Sequence, residues 1–113
     1  MKNILISPKA KIVYAMKRLS KTGEGCLIVT DSQKKILGTL TDGDIRRGIL
    51  KSLSIEKKID LIYSKNPMAL IKGKYTIEDA KKMMTYHKQE LLPIINKNNV
   101  FVNYLSWESV FGS

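Results

Sequence analysis

The residues best suited to chemistry lie in one stretch of ten, from position 38 to position 47. Thr41 is followed three residues later by Asp44, and Arg46 and Arg47 come soon after. This spacing is that of a capping box, in which Thr41 starts a helix and Asp44 reaches back to the cap's amide. A hydroxyl, a carboxylate and arginines at a helix start could instead hold a phosphorylated, ribose-bearing ligand. By spacing alone the capping box is favoured, because such boxes are common at helix starts.

The elements around this stretch follow from the apolar pattern. It predicts strands over 4–6, 26–30 and 36–40, and helices from Lys11 to about Ser20 and from position 41 to about Lys51. Residues 54–64 have helical spacing and predict a short connecting helix. The second half predicts a helix over 77–84, strands over 91–95 and 100–105, and a last short helix capped by Ser106.

The second half repeats the first at an offset of 65 residues without any insertion. Ile12 then matches Ile77, Leu27 matches Leu92, and Thr41 matches Ser106. A series of apolar pairs in one register indicates an internal repeat. We therefore predict an α+β fold of two β-α-β-β-α repeats, related by a pseudo-twofold axis and packed sheet to sheet. The predicted boundaries are 1–53 for the first repeat, 54–65 for a linker helix and 66–113 for the second repeat.

Composition excludes several classes of function. The chain has 113 residues, of which 43% are hydrophobic and 27% charged, which is typical of a soluble globular protein. A single cysteine, Cys26, and a single histidine, His87, support neither a metal site nor a catalytic triad, and Cys26 is predicted to be buried. The net charge of +10 is spread over scattered lysines, which disfavours a nucleic-acid groove but would attract a small anion. No apolar run is long enough to cross a membrane, and no signal peptide opens the chain, so we expect a cytoplasmic location.

The repeat resembles a pair of cystathionine β-synthase (CBS) motifs, the arrangement called a Bateman module. The residues that carry the resemblance are Gly38-Thr39-Leu40-Thr41-Asp42-Gly43-Asp44-Ile45 and Leu92-Pro93-Ile94. The resemblance implies a regulatory module, without catalytic residues or a cofactor of its own, that binds AMP, ADP or ATP in a cleft between the repeats. It also implies that the module forms a homodimer.

The resemblance assigns roles to residues around the first junction. Asp44 would accept hydrogen bonds from the ribose hydroxyls, and Thr41 would hold the phosphate. Arg46 or Arg47 would be a phosphate partner, although we expect helical geometry to turn Arg47 away from Asp44. The remaining predicted contacts are an apolar wall of Ile6, Leu27 and Leu40 and a further phosphate contact from Lys88.

The second junction departs from the family pattern. Ser106 keeps the cap, but Ser109 replaces the carboxylate and cannot offer charged acceptors to a diol, so we predict a weak or empty second site. Residues 41–47, close behind the start of the chain, resemble the pair that precedes sugar-phosphate nucleotidyltransferases, so we expect the module to regulate an enzyme of that class. A similar motif follows the catalytic domain of arabinose-5-phosphate isomerases, and the methionine at position 1 favours the first resemblance. A structural or oligomerisation module without ligand, and less favourably a nucleic-acid-binding domain, are the alternatives.

Overall fold

The computed structural model describes residues 2–112 and divides the chain into two compact units, Met1–Pro67 and Met68–Ser113. The terminal residues Met1 and Ser113, which the predicted boundaries include, lie outside the described residues. The first unit contains β1 (Leu5–Ile6), α1 (Ile12–Thr22), β2 (Cys26–Thr30), β3 (Ile36–Thr41) and α2 (Asp42–Leu50). The second contains β4 (Leu70–Ile71), α3 (Ile77–His87), β5 (Leu91–Ile95), β6 (Phe101–Ser106) and α4 (Trp107–Phe111). The α+β class is confirmed.

Each unit has a three-stranded sheet with the same topology. In the first, β1 pairs parallel to β2 and β2 pairs antiparallel to β3, and β4, β5 and β6 repeat this order. The register repeats as well, since Cys26 faces Thr41 as Leu91 faces Ser106. Both antiparallel ladders are irregular near the end of the central strand, at Val29/Thr30 and at Ile94/Ile95. The 65-residue repeat is therefore present in the backbone as well as in the sequence.

Local sequence explains where α1 ends and why β2 is buried. The α1 helix ends at Gly23, which takes a left-handed conformation with φ of 68° and returns its amide to the carbonyl of Leu19. Every residue of β2 is buried, as its continuous apolar run predicts, and Cys26 is buried with them. The core of the second unit is built from α3, β4 and β5 through Leu70, Ala80, Met84, Leu92 and Ile94.

The linker differs from its prediction. Only Ile59–Leu61 forms a helical turn, of the 3-10 type, although helical spacing runs through the whole segment. The backbone bonds elsewhere instead: the carbonyls of Ile55 and Lys57 accept from the first amides of α1, at Val13 (2.9 Å) and Ile12 (2.8 Å). These bonds satisfy amides that a helix start leaves without intrahelical partners. The linker therefore packs as part of the first unit, and tertiary bonding overrides its helical pattern.

Gly38 allows the linker to reach the edge of β3. Thr39 and Ser64 form an isolated antiparallel bridge, with amide-to-carbonyl distances of 3.0 and 2.9 Å in the two directions. A Cβ on Gly38 would lie 2.0 Å from the carbonyl oxygen of Ser64 and 2.6 Å from the ring of Tyr63. No side chain fits in that space, so the bridge requires glycine at this position. Asn103, at the matching position of β6, is exposed.

Candidate functional site

The first junction contains a complete capping box. Thr41 is the N-cap of α2, and its hydroxyl oxygen accepts from the amide of Asp44 at 3.2 Å. In return, Oδ2 of Asp44 accepts from the amide of Thr41 at 2.9 Å. The predicted cap is confirmed, and it uses one of the two oxygens of the Asp44 carboxylate.

The other oxygen of that carboxylate is bound by Arg47. The guanidinium Nη2 donates to Oδ1 of Asp44 at 2.7 Å, with the Arg47 side chain 63% exposed and the Asp44 side chain 12% exposed. The expectation that helical geometry turns Arg47 away from Asp44 is wrong. Residues three apart lie on the same face of a helix, so the two side chains can meet.

The guanidinium groups of both arginines lie close to Gly43, in the first turn of α2. A Cβ on Gly43 would lie 3.2 Å from Nη1 of Arg47, 3.6 Å from the Thr41 hydroxyl and 3.7 Å from Nη2 of Arg46. Two guanidinium groups and a hydroxyl therefore converge on the first turn, where the helix dipole already favours an anion. Sequence reasoning missed Gly43, where a Cβ would crowd the Arg47 guanidinium and would only touch that of Arg46.

A small cavity of about 160 Å³ adjoins this cluster along α2. Asp44, Arg47 and Lys51 line it, together with Leu61 and Ile62 of the linker. Sites for drug-sized ligands usually enclose at least about 300 Å³, so this cavity is the size of a fragment of a nucleotide and not of a whole one. Sequence reasoning also missed Lys51, although positions 44, 47 and 51 have the i, i+3, i+7 spacing of one helix face.

The first junction lies in a region of the chain that matches a known protein family. Residues 1–51 match the family model of the CBS domain, and this match contains β1 to α2 and the capping box. The first repeat is a CBS domain. The matched region thus includes every predicted ligand contact of the first repeat.

Curated relatives share the sequence over most of the chain. The YtoI protein of Bacillus subtilis is 33% identical over 109 residues, which cover 96% of this chain and 24% of YtoI. The arabinose 5-phosphate isomerase GutQ of Escherichia coli is 26% identical over 102 residues, which cover 90% of this chain and 32% of GutQ. The chain thus spans about a quarter to a third of the length of these relatives.

A solved CBS-domain structure shares the whole fold. The CBS domain protein PAE2072 of Pyrobaculum aerophilum, complexed with AMP, superimposes with a TM-score of 0.84 at 21% identity. The match covers 100% of this chain and 86% of the other. The fold that contains both repeats is therefore that of a known CBS-domain protein.

The CBS domain does not bring the predicted apolar wall to the surface. Leu27 and Leu40 are cross-strand partners next to the junction, and both are fully buried. Ile6 is also buried, and it pairs with Val29 toward the other end of β2. There it borders a separate cavity of about 570 Å³, lined also by Ser7, Pro8, Lys9, Thr30, Asp31 and Ser32. All three wall residues lie in the core of the CBS domain, and their contact with a ligand stays a prediction.

Lys88 belongs to the second unit. It is the C-cap of α3, in a left-handed conformation with φ of 55°, and its amide donates to the carbonyl of Met84. The side chain is exposed. This placement gives Lys88 a structural role at the end of α3, and its phosphate contact stays a prediction.

The second repeat keeps the cap and loses the charges. The hydroxyl of Ser109 accepts from the amide of Ser106 at 2.9 Å, and the hydroxyl of Ser106 accepts from the amide of Ser109 at 3.1 Å. Serine thus completes the box that Asp44 completes in the CBS domain. The arginine positions hold Phe111 and Gly112, and the ring of Phe111 lies 4.2 Å from that of Trp107.

Other types of site find no support within residues 2–112. No group of three or more histidine, cysteine, aspartate or glutamate side chains in this part of the chain could hold a metal ion. The ring of His87 lies edge-on to Tyr86, with centroids 4.8 Å apart. Among the described helices, none has the length and apolar character that crossing a membrane requires.

Proposed function

We propose that this protein is a regulatory module that binds an adenosine-containing nucleotide, AMP, ADP or ATP, at the first turn of α2. The proposal depends chiefly on one observation: a carboxylate, a hydroxyl and two guanidinium groups converge on one helix start of a CBS domain. The AMP complex of PAE2072, which has the same fold, supports the choice of ligand.

Each group at the junction has a chemical role in this proposal. The Asp44 carboxylate only accepts hydrogen bonds, so it suits the two vicinal hydroxyls of a ribose. Arg46, Arg47 and the Thr41 hydroxyl suit a phosphate, which the helix N-terminus also attracts. The second junction has Ser109 in place of the carboxylate and no arginine, so in this proposal it is weak or empty.

For the enzyme that the module regulates, we propose only the class of its substrate. The match to GutQ supports an enzyme of sugar phosphates, attached to the module or associated with it. A nucleotidyltransferase of that class, as the sequence predicts, remains one form of this proposal. Nucleotide binding by the module would change the activity of that enzyme, and the module itself would catalyse nothing.

Self-association into a homodimer also remains a prediction. Four large apolar side chains of α1 and α2 are exposed, namely Tyr14, Met16, Ile49 and Leu50. Such side chains favour burial against a partner surface. The homodimer and the nucleotide site are independent proposals, because the exposed residues differ from those at the junction.

The second repeat supplies the design of the decisive variant, Asp44→Ser. Serine completes the same box at position 109, so the change should preserve the cap and remove only the carboxylate. We expect AMP affinity, measured by calorimetry, to fall at least about tenfold, since a hydrogen bond to a charged group contributes about 1.5–3 kcal/mol. The free energy of unfolding should change by no more than about 0.5 kcal/mol.

Asp79→Ser is the matched control for this experiment. Asp79 completes a capping box with Thr76 at the start of α3, with the same bonds at 2.9 and 3.1 Å. The control changes the same residue type in the same motif of the second unit, so AMP affinity should stay unchanged. Equal losses from both variants, or wild-type protein that binds no adenine nucleotide at millimolar concentration, would contradict the proposal.

A further inference from the structure

Both oxygens of the Asp44 carboxylate accept hydrogen bonds from other groups of the protein. Oδ2 accepts from the amide of Thr41 and Oδ1 accepts from Arg47, and only 12% of the side chain is exposed. A ribose diol must donate two hydrogen bonds to reach this carboxylate. Since the cap holds Oδ2 through the backbone, the exchangeable partner is Arg47.

The Arg47 contact is easy to displace. The side chain is 63% exposed, and exposed ion pairs of this kind contribute little to stability. Its Nη1 lies 3.2 Å from the position that a Gly43 Cβ would take, so the guanidinium already adjoins the first turn of α2. A short movement would transfer it from the carboxylate to an anion at that turn.

We infer that Arg47 makes the module select phosphorylated adenosines over adenosine itself. This inference rests on the proposed function and adds the exchange of Arg47 from the Asp44 carboxylate to the phosphate. An unphosphorylated ribose displaces Arg47 from Asp44 and gives its charge no new partner. A nucleotide displaces it in the same way, but its phosphate takes the guanidinium in a charge-assisted pair. Arg47 therefore lowers the affinity for adenosine and raises the affinity for a phosphorylated adenosine.

Arg46 differs from Arg47 in the one contact that matters. Its Nη2 lies 3.7 Å from the same Cβ position, so it also adjoins the first turn. The bond to Oδ1 of Asp44, however, comes from Arg47. Neutralising Arg46 would weaken phosphate binding without freeing the carboxylate, which makes Arg46→Met the matched control.

The test compares AMP and adenosine on the full chain, with Arg47→Met and Arg46→Met. Calorimetry measures AMP directly and adenosine by competition against it. For Arg47→Met we expect adenosine to bind about three- to fivefold tighter, the worth of an exposed ion pair, and AMP about tenfold weaker. For Arg46→Met we expect weaker AMP binding and unchanged adenosine binding.

The outcomes separate this inference from the proposed function. Adenosine affinity that is unchanged or lower in Arg47→Met would overturn the exchange at Asp44, while AMP binding to the wild type would leave the proposed function intact. If wild-type protein binds neither ligand, both fall. A urea unfolding curve of each variant, with a midpoint equal to that of the wild type, shows that the affinities compare folded proteins.

Discussion

At the scale of single residues, Asp44 completes the cap of α2 and also binds Arg47. The prediction from the sequence contained only the first of these contacts. The spacing of Thr41 and Asp44 predicts the capping box, because the geometry of a first turn is local. The contact with Arg47 was predictable from the i, i+3 rule, yet competing solvent-exposed rotamers make any such pair uncertain in advance. The convergence of both arginines on Gly43 depends on side-chain positions, and a pattern of residue types does not contain them.

The capping box of α3 gives a pH prediction at this scale. The backbone amide of Thr76, and then its hydroxyl, hold the pKa of Asp79 below its ordinary value of 3.8, against a smaller opposite effect of burial. Because the folded pKa is the lower one, the ionised form stabilises the fold above pH 3.8 and this contribution is lost as the pH falls through the folded pKa. Asp79→Asn should therefore be less stable than wild type at neutral pH, and the difference should shrink in acid.

Urea unfolding at a series of pH values measures this difference. Glu78→Gln is the control, since it removes a charge from the same turn and leaves the box with Thr76 intact. Equal declines for the two variants would assign the effect to negative charge at this turn and not to the capping box. A constant gap between Asp79→Asn and wild type down to the lowest pH would disprove the assignment.

At the scale of elements, the regular strands were predictable and the linker was not. β2 and β5 have the predicted bounds, because their continuous apolar runs are buried whatever their neighbours are. The linker has a helical pattern, but its backbone bonds to α1 and to β3 of the same unit. Those partners are distant in sequence, so a local pattern carries no information about them.

Gly38 tests this account of the linker. Gly38→Ala should place a methyl group against the carbonyl of Ser64 and the ring of Tyr63, and overpacking of this kind costs about 1–3 kcal/mol. Asn103→Ala, at the matching and exposed position of β6, should change stability by no more than about 0.5 kcal/mol. Urea unfolding compares the two variants. A neutral Gly38→Ala would show that the linker is not held against β3.

At the scale of the whole molecule, the positive charge is concentrated in one unit. Residues 1–67 carry 14 of the 20 lysines and arginines and 6 of the 10 acidic residues, so the first unit has a net charge of +8. The lysines are scattered along the whole sequence, so the difference in charge becomes clear only when the fold shows that the chain divides after Pro67. The unit that contains the CBS match thus also has the larger positive charge, which favours anions there.

Salt should therefore weaken binding of a charged ligand selectively. Raising sodium chloride from about 0.1 M to about 1 M shortens the screening length from about 10 Å to about 3 Å. We expect AMP affinity, measured by calorimetry, to fall several-fold. Adenosine affinity, which serves as the control, should not fall and should rise slightly, because salt also screens the Arg47–Asp44 pair that adenosine must displace. A short DNA or RNA duplex that bound with a steeper salt dependence than AMP would favour the nucleic-acid alternative instead.

The anchored linker also bears on how the chain responds to proteases. Segments that join compact units are usually the first to be cleaved, and this one presents trypsin with Lys57, Lys58 and Lys65. Yet a protease needs an extended, released backbone, and here Lys57 and Lys58 both take part in backbone pairing with the start of α1. Cleavage at these two lysines requires the first unit to open locally, so a tryptic cut there would report on the opening of that unit.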